Sequence, residues 1–467
     1  MIKDIYAEFG TQTGNNLDRI QRDKGIDAFT KLRLLSVFLG TTVQEIAKVH
    51  HRVLIHRRAD QPSPFSKDVI CPALEMIKEL RLLPPSCTLS NNLPFGSFML
   101  QFSFILAKPY LSQDDEGFYV CENPIRKEKV FKVPMVAGSS WKGNLRWTAM
   151  KIFTDKLPDR INELTLNEYF GPRSQMVRLF GHEKDAMENY LDTVLAEALC
   201  NDEEKKNPEC VKEKKKFVEG EFEEFLRNKG YIGSNVEGRQ GRLNFYPTFF
   251  DQIGLEVINP HDRKTKAGTV PIYIESVPEG ATGTFTLLYV PFDLIGKPED
   301  MVRKEVAQDI ETICEAVKEM MTTYGFSAKK TSGFGVIKDS IQGYFLTNAG
   351  FPVIEIESEQ TKKISAPVFS LSRYLTPEGK LQPEFLNPDG TFKEVEPKVY
   401  ESWNRKKRQV YDKAKKFHEK QLAQDKEDEA KEEKKIPAIQ SKQYPLKQVA
   451  DIELIARKLA EALEGGK

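Results

Sequence analysis

"VPMVAGSSWKGNLRW" (residues 133–147) passes from an apolar, strand-like stretch through a Gly-Ser-Ser turn into a segment in which Lys142 and Arg146 stand four residues apart. That spacing predicts a strand, a tight turn and then a helix carrying both cations on one side. Ser139 or Ser140 is the expected N-cap, because a seryl oxygen accepts from an amide that the first helical turn leaves unpaired. Helix N-termini with cations close by hold phosphate well. Gly138 and Gly143 have GxxxxG spacing, but Asn144 and Leu145 stand where a Walker A loop needs Lys and Ser/Thr, which argues against nucleotide hydrolysis. An ordinary capped helix with solvated charges would show the same residues.

Working outward, residues 16–83 carry apolar positions at helical spacing, as in "DAFTKLRLLSVFLGTTVQEIAKVHHRVLI" and "CPALEMIKELRLL", and Pro84-Pro85 ends the second. At "SFMLQFSFILAKPYL" (97–111) the pattern turns to strand alternation, which sets a domain boundary near Asn92. A second helical region runs from Trp141 to about Lys229, broken by "NDEEKKNPECVKEKKK" (201–216), a solvated loop or helix tip. Strands return at 241–258, 269–277 and 281–292, a helix follows over 299–325, and a glycine-punctuated loop enters a last strand by 346. From Glu401 to Lys435 charges of both signs dominate, and "LKQVADIELIARKLAEALEG" closes the chain as an amphipathic helix.

This order predicts an α+β fold with helices on one face of an antiparallel sheet, the ferredoxin-like βαββαβ unit being the expected core. The expected domains are a helical N-terminal extension (1–92), the core (93–355) with a helical insertion over about 150–230, and a C-terminal extension (356–467) made of a charged linker and a terminal helix.

The 467 residues, 40% of them apolar, suffice for two or three domains. Lys plus Arg and Asp plus Glu both total 69, so any polyanion site must be a local patch. Six cysteines show neither a CxxC pair nor zinc spacing, which points to free thiols in a reducing cytoplasm. The amino terminus lacks a signal pattern and no run approaches the roughly 20 apolar residues of a membrane span, so the expected setting is cytoplasmic, with no membrane partner.

Three further stretches carry candidate chemistry. In "KKTSGFGVIK" (329–338), Lys329 and Lys330 precede Gly333 and Gly335 around Phe334. Glycines admit close backbone approach, and an aromatic beside lysines can stack on a base while the cations meet phosphates. A tight turn before a strand would look alike. In "EVINPHDRKTKAG" (256–268), His261 has the near-neutral pKa of a general acid or base for a ribose 2'-OH. In "YLSQDDEGFYVCENPIRKEKVFKVP" (110–134), Asp114, Asp115, Glu116 and Glu122 precede Arg126, Lys127, Lys129 and Lys132. Clustered carboxylates can hold a divalent ion that activates water, though a solvated hairpin carries the same mixture.

Taken together and in this order, these pieces resemble the RAMP superfamily (repeat-associated mysterious proteins) of type III CRISPR effector subunits. The family's Pro-Gly-Ser-Ser-Leu-Lys-Gly motif, with its later Arg, is similar to "AGSSWKGNLR" (137–146), and its Gly-Phe-Gly loop to "KKTSGFG" (329–335). "RLFG" (178–181) and "GRLNFYP" (241–247) resemble the middle segments, and the resemblance covers roughly residues 95–350.

The resemblance implies a backbone-like RNA-binding subunit of an antiviral ribonucleoprotein. Gly138, Ser139, Ser140, Lys142, Arg146, Lys329, Lys330, Gly333, Phe334 and Gly335 would lie along guide RNA, beside other effector subunits and, when engaged, target RNA. Relatives that cut target RNA have an Asp two residues before a Pro, where this chain has Glu122 in "ENP". Glu122, with Asp115, would then hold Mg2+, and no other cofactor is implied. Glutamate is one methylene longer, and displacing a bound water by about an ångström can cost on the order of a hundredfold in rate. Guide-RNA processing by His261 is the remaining enzymatic alternative.

Overall fold

The strand "FMLQFSFI" explains the centre of the molecule. Its even residues Phe98, Leu100, Phe102 and Phe104 are buried and share one face, whereas Gln101 and Ser103 on the other are half-buried. This is β1 (Phe98–Ile105) in the computed structural model, which describes residues 14–56, 62–83, 89–90, 92–114, 119–183, 189–231, 238–259, 268, 271–348, 350–354, 381–382, 385–387, 391–403, 408, 410–412, 414–416, 418 and 442–465.

Among the described residues four α-helices precede it: α1 (Gly14–Arg22), α2 (Ala28–Leu35), α3 (Gln44–Ile55) and α4 (Cys71–Glu79). After β1 come β2 (Met135–Val136), α5 (Gly138–Asp155), α6 (Leu166–Phe180), β3 (His182–Glu183), α7 (Asn189–Leu199) and α8 (Pro208–Asn228). The short strands β4 (Gly238–Arg239), β5 (Leu243–Phe245) and β6 (Thr248–Phe249) lead to the hairpin of β7 (Gly254–Ile258) and β8 (Ile272–Ser276). Then follow β9 (Thr282–Tyr289), α9 (Glu299–Glu319), β10 (Ser340–Thr347), α10 (Pro397–Ser402), β11 (Lys442–Gln448) and α11 (Ala450–Glu464).

The main sheet has the order β11-β10-β1-β9-β5, and every adjacent pair is antiparallel. The register sets Phe102 opposite Phe285 and Leu100 opposite both Leu287 and Phe345, so their apolar side chains share a face. Helices cover that face. Trp141 of α5 is fully buried, with its ring 4.9 Å from Phe285, and the Tyr289 hydroxyl donates to Asp309 of α9 at 2.7 Å. α9 contacts both α5 and α11. On the opposite face Met99, Leu288 and Leu346 pack against Leu89 and Leu93, while Gln101 pairs with Thr286 and Ser103 with Thr284.

The chain forms two compact units, Met1–Ile354 with Ser441–Lys467, and Glu355–Gln440. The first regains its carboxyl end because β11 adds a strand to β10. Sequence reading gave residues 446–448 to the terminal helix. Pro445 hides the strand signal, but an edge strand tolerates a proline whose missing N–H would have faced outward. The charged interruption also differs in detail, since α8 already begins at Pro208, with the Asn207 side chain accepting from Glu209 N. Proline suits a first helical position, where its N–H would have no partner. In the second unit the ring of Tyr411 lies 5.2 Å from Phe392 and 5.5 Å from Trp403.

Candidate nucleic-acid interface

α5 starts two residues earlier than a cap at Ser139 requires. Ala137 is the N-cap and makes no side-chain hydrogen bond, so Ser139 and Ser140 stand inside the first turn. The reason is packing: a Cβ at Gly138 would come within 2.6 Å of the Phe245 carbonyl oxygen, so the chain turns where it crosses β5. Lys142 is exposed and Arg146 half-buried on the following turns.

The second glycine-containing bend is braced at its base. Phe326 N donates to Gly335 O at 3.0 Å, Gly335 N to Pro109 O at 2.9 Å and Ala328 N to Leu111 O at 2.9 Å. Gly335 has φ +74, and a Cβ there would lie 2.4 Å from the Ser327 Cβ, so both conformation and space exclude a side chain. The tip exposes Lys329 and Gly333 and leaves Lys330 and Phe334 half-buried. Lys329 has φ 58, a left-handed conformation that disfavours a non-glycine residue by about 1–2 kcal/mol. Burial pushes the pKa of the Lys330 ammonium down.

These two bends, nearly two hundred positions apart in the sequence, meet. The Trp141 and Phe326 rings are 4.5 Å apart, and Asn144 Nδ2 donates to Ser140 O at 2.9 Å and to Phe326 O at 3.2 Å. Lys330 Nζ stands 4.4 Å from the centre of the Trp147 ring, and the Tyr324 ring is nearly perpendicular to that ring with its centre 5.3 Å away. Asn144, which sits where a nucleotide-binding lysine would be needed, is thus a strut between helix and loop.

Glu122 is engaged elsewhere. Its side chain is 74% exposed and accepts from Lys48 Nζ of α3 at 3.1 Å. Among the described residues the one group of three potential metal ligands is His51, Cys121 and Glu275, which does not include Glu122. Asp115, Glu116 and His261, with its neighbours Arg263, Lys264 and Lys266, lie outside the described residues.

Two buried ionic clusters had no motif to announce them. Glu275 of β8 is fully buried and accepts from Tyr119 OH at 2.6 Å, Lys127 Nζ at 2.5 Å and Ile125 N at 3.1 Å, with His51 Nε2 of α3 at 2.8 Å. Burial alone would raise its pKa; the Lys127 charge and the His51 hydrogen bond outweigh that and hold it at about 2. Burial pushes the Cys121 thiol up to about 11, and the described cysteines are free. Arg52 caps the same contact, its guanidinium 3.6 Å over the Tyr273 ring. The available signal was a lone carboxylate in the apolar run "IYIES", since a buried Glu needs paired donors.

The other cluster joins two of the family-like segments. Arg242 of "GRLNFYP" is 2% exposed and bonds Asp293 Oδ2 at 2.5 Å, Asp309 Oδ2 at 2.7 Å and Glu305 Oε2 at 2.8 Å. Arg242 N donates to the carbonyl of Arg178 in "RLFG" at 2.9 Å. Between α6 and α7 a buried pair, Arg173 and Asp192, lies beside the Phe170–Phe222 cluster.

Residues 117–338 match the family model described as RAMPs, the RAMP superfamily, and so contain both bends except the strand that follows the second. No curated protein matches the sequence. Among solved structures the chain is similar to one in the cryo-EM structure of the type III-B Cmr-beta complex bound to cognate target RNA, at 13% identity and a TM-score of 0.32, covering 69% of this chain and 94% of that one. It is also similar to Cmr6 from Pyrococcus furiosus, at 13% identity and a TM-score of 0.25, covering 52% of this chain and 97% of that one. Among the described residues no helix is long and apolar enough to cross a membrane.

Proposed function

We propose that this chain is an RNA-binding subunit of a type III CRISPR ribonucleoprotein effector, gripping guide RNA by its phosphates in antiviral defence. The observation that carries the reading is the meeting of the α5 turn with the 325–335 loop, fastened by Asn144 and Phe326, within a RAMP-superfamily segment. Lys142, Lys329 and Lys330 supply the charge, and the N-terminal amides of α5 supply donors of the kind that hold phosphate. We read the strands β1, β5, β9 and β10, with α5 and α9 between them, as a ferredoxin-like unit extended by β11.

Sequence reading is left to base pairing, which positions the guide without the protein contacting base edges. The sheet face away from the helices supports this. It carries Gln101, Ser103 and Thr284, with Tyr344 opposite Gln101, so it is poorer in aromatic side chains than an RNA-reading sheet that stacks two or three bases. Other effector subunits and target RNA are the further partners of this reading. The nuclease alternative rests on Glu122, whose carboxylate is bound by Lys48.

Purification of the protein from its native host, followed by sequencing of the nucleic acid that co-elutes, tests the proposal. Short repeat-derived RNAs are the expected result, and their absence overturns it.

A further inference from the structure

The strongest unassigned feature lies on the outer side of α5. Trp147 is 40% exposed, while the other tryptophan of the same helix, Trp141, is fully buried in the core. The Trp147 ring is not idle: Lys330 Nζ lies 4.4 Å from its centre and the Tyr324 ring stands against it at an interplanar angle of 84°. Tyr324 is held in turn, its hydroxyl 3.4 Å from Asp155 at the end of α5. An indole fixed in this way loses little freedom when a flat partner arrives.

A second observation concerns Gly143, one turn earlier. Side chains on a helix lean toward its N-terminus, so Trp147 leans toward the turn that holds residue 143. Glycine inside a helix is unfavourable by about 1 kcal/mol relative to alanine. Gly143, like Gly171 inside α6 and Gly220 inside α8, has nothing within 4 Å of a Cβ built on it and no positive φ. Internal packing therefore does not account for a glycine here. A long side chain here would project from α5 one turn before Trp147.

We propose that Trp147, with Lys330 and Tyr324 beside it and Gly143 leaving access, is a stacking platform for one base of a single-stranded RNA lying along α5. The inference rests on the RNA-binding reading and sharpens it, since it adds a base contact to a grip otherwise made through phosphates. Every base has a π-face, so the contact is tolerant of sequence while requiring that a base be present. Lys330 stands where it can meet the phosphate flanking the stacked base. The aromatic residue at the meeting of the two bends is thus supplied by the helix, in addition to Phe334 of the loop.

The test uses the full chain and fluorescence anisotropy with a labelled single-stranded RNA of about twelve nucleotides and a matching RNA carrying abasic sites. Trp147→Ala should weaken binding roughly 5- to 100-fold, Trp147→Phe should restore most of it, and abasic RNA should bind the wild type as weakly as intact RNA binds Trp147→Ala. Gly143→Gln should leave the melting temperature unchanged or raised, since the site has room and glycine is the poorer helix former, yet weaken intact RNA as Trp147→Ala does. That variant keeps the test decisive if Trp147→Ala folds poorly.

If the wild type binds RNA but Trp147→Ala, Gly143→Gln and abasic substitution all leave affinity unchanged, the stacking proposal falls and the phosphate grip survives. Loss of association with another protein at unchanged RNA affinity would likewise overturn it. Failure of the wild type to bind any of these RNAs removes the RNA-binding reading itself.

Discussion

Arg242 in "GRLNFYP" and Lys142 in "GSSWKGNLR" look alike in the sequence, each a cation beside a glycine in a family-like stretch. In the fold they have opposite fates. Arg242 is 2% exposed among Asp293, Glu305 and Asp309, whereas Lys142 faces solvent beside the 325–335 loop. The difference teaches that matching a motif does not tell an internal tie from an outward grip. What separates them is the presence of carboxylates brought from α9 and the preceding turn, since a buried guanidinium is tolerable only when its charge and donors are met.

The comparison breaks first at its buried side. Arg242→Met removes the buried cation shared by Asp293, Glu305 and Asp309, the last of them fully buried, and should lower stability by about 3–5 kcal/mol, read as the urea midpoint of the full chain. A loss under about 1 kcal/mol would mean that the cluster is as inconsequential as a surface pair.

The Glu275 cluster sharpens the point through pH. Its carboxyl is held at about 2 in the folded protein against an ordinary 4.5, so its stabilisation is fully present above about pH 4.5 and is lost as the pH falls toward 2. The shift corresponds to roughly 3 kcal/mol. Glu275→Gln should lose about that much at pH 7, with the gap to the wild type closing in acid. A gap that stays constant from pH 7 to pH 2 would contradict the assignment.

On the outward side, Lys142→Glu combined with Lys329→Glu should change stability by less than about 1 kcal/mol, because both ammonium groups are exposed. The effect should appear in RNA binding, where the slope of log K against log salt becomes shallower by about 1.4, at roughly 0.7 per phosphate contact on a single strand. An unchanged slope would remove these two lysines from the grip.

Much of the framework was legible in the residues. The even-odd pattern of 98–105 specifies a strand with one buried face, the apolar spacing of 299–319 specifies α9, and Gly333 and Gly335, both with positive φ, mark the turn they make. The N-cap assignment failed because Ala137, not serine, closes the helix start when Gly138 is pressed against Phe245, a contact more than a hundred residues distant. β11 escaped because its partner β10 ends almost a hundred residues earlier, and its own sequence contains a proline. Of the candidate site, the lysines and glycines were readable as types; Trp147, Tyr324 and the Asn144 strut were not, since each matters through a partner from the other bend.

The amino-acid sequence by itself determined the local forms: which segments coil, which extend, where glycine permits a bend, and that no global charge excess exists. Only the tertiary structure decided which cations lie inside and which face out, which strand completes the sheet, and that two remote bends share a surface. The physical reason is that backbone preference is set by a residue and its near neighbours, whereas burial and charge pairing are set by what the rest of the chain brings alongside.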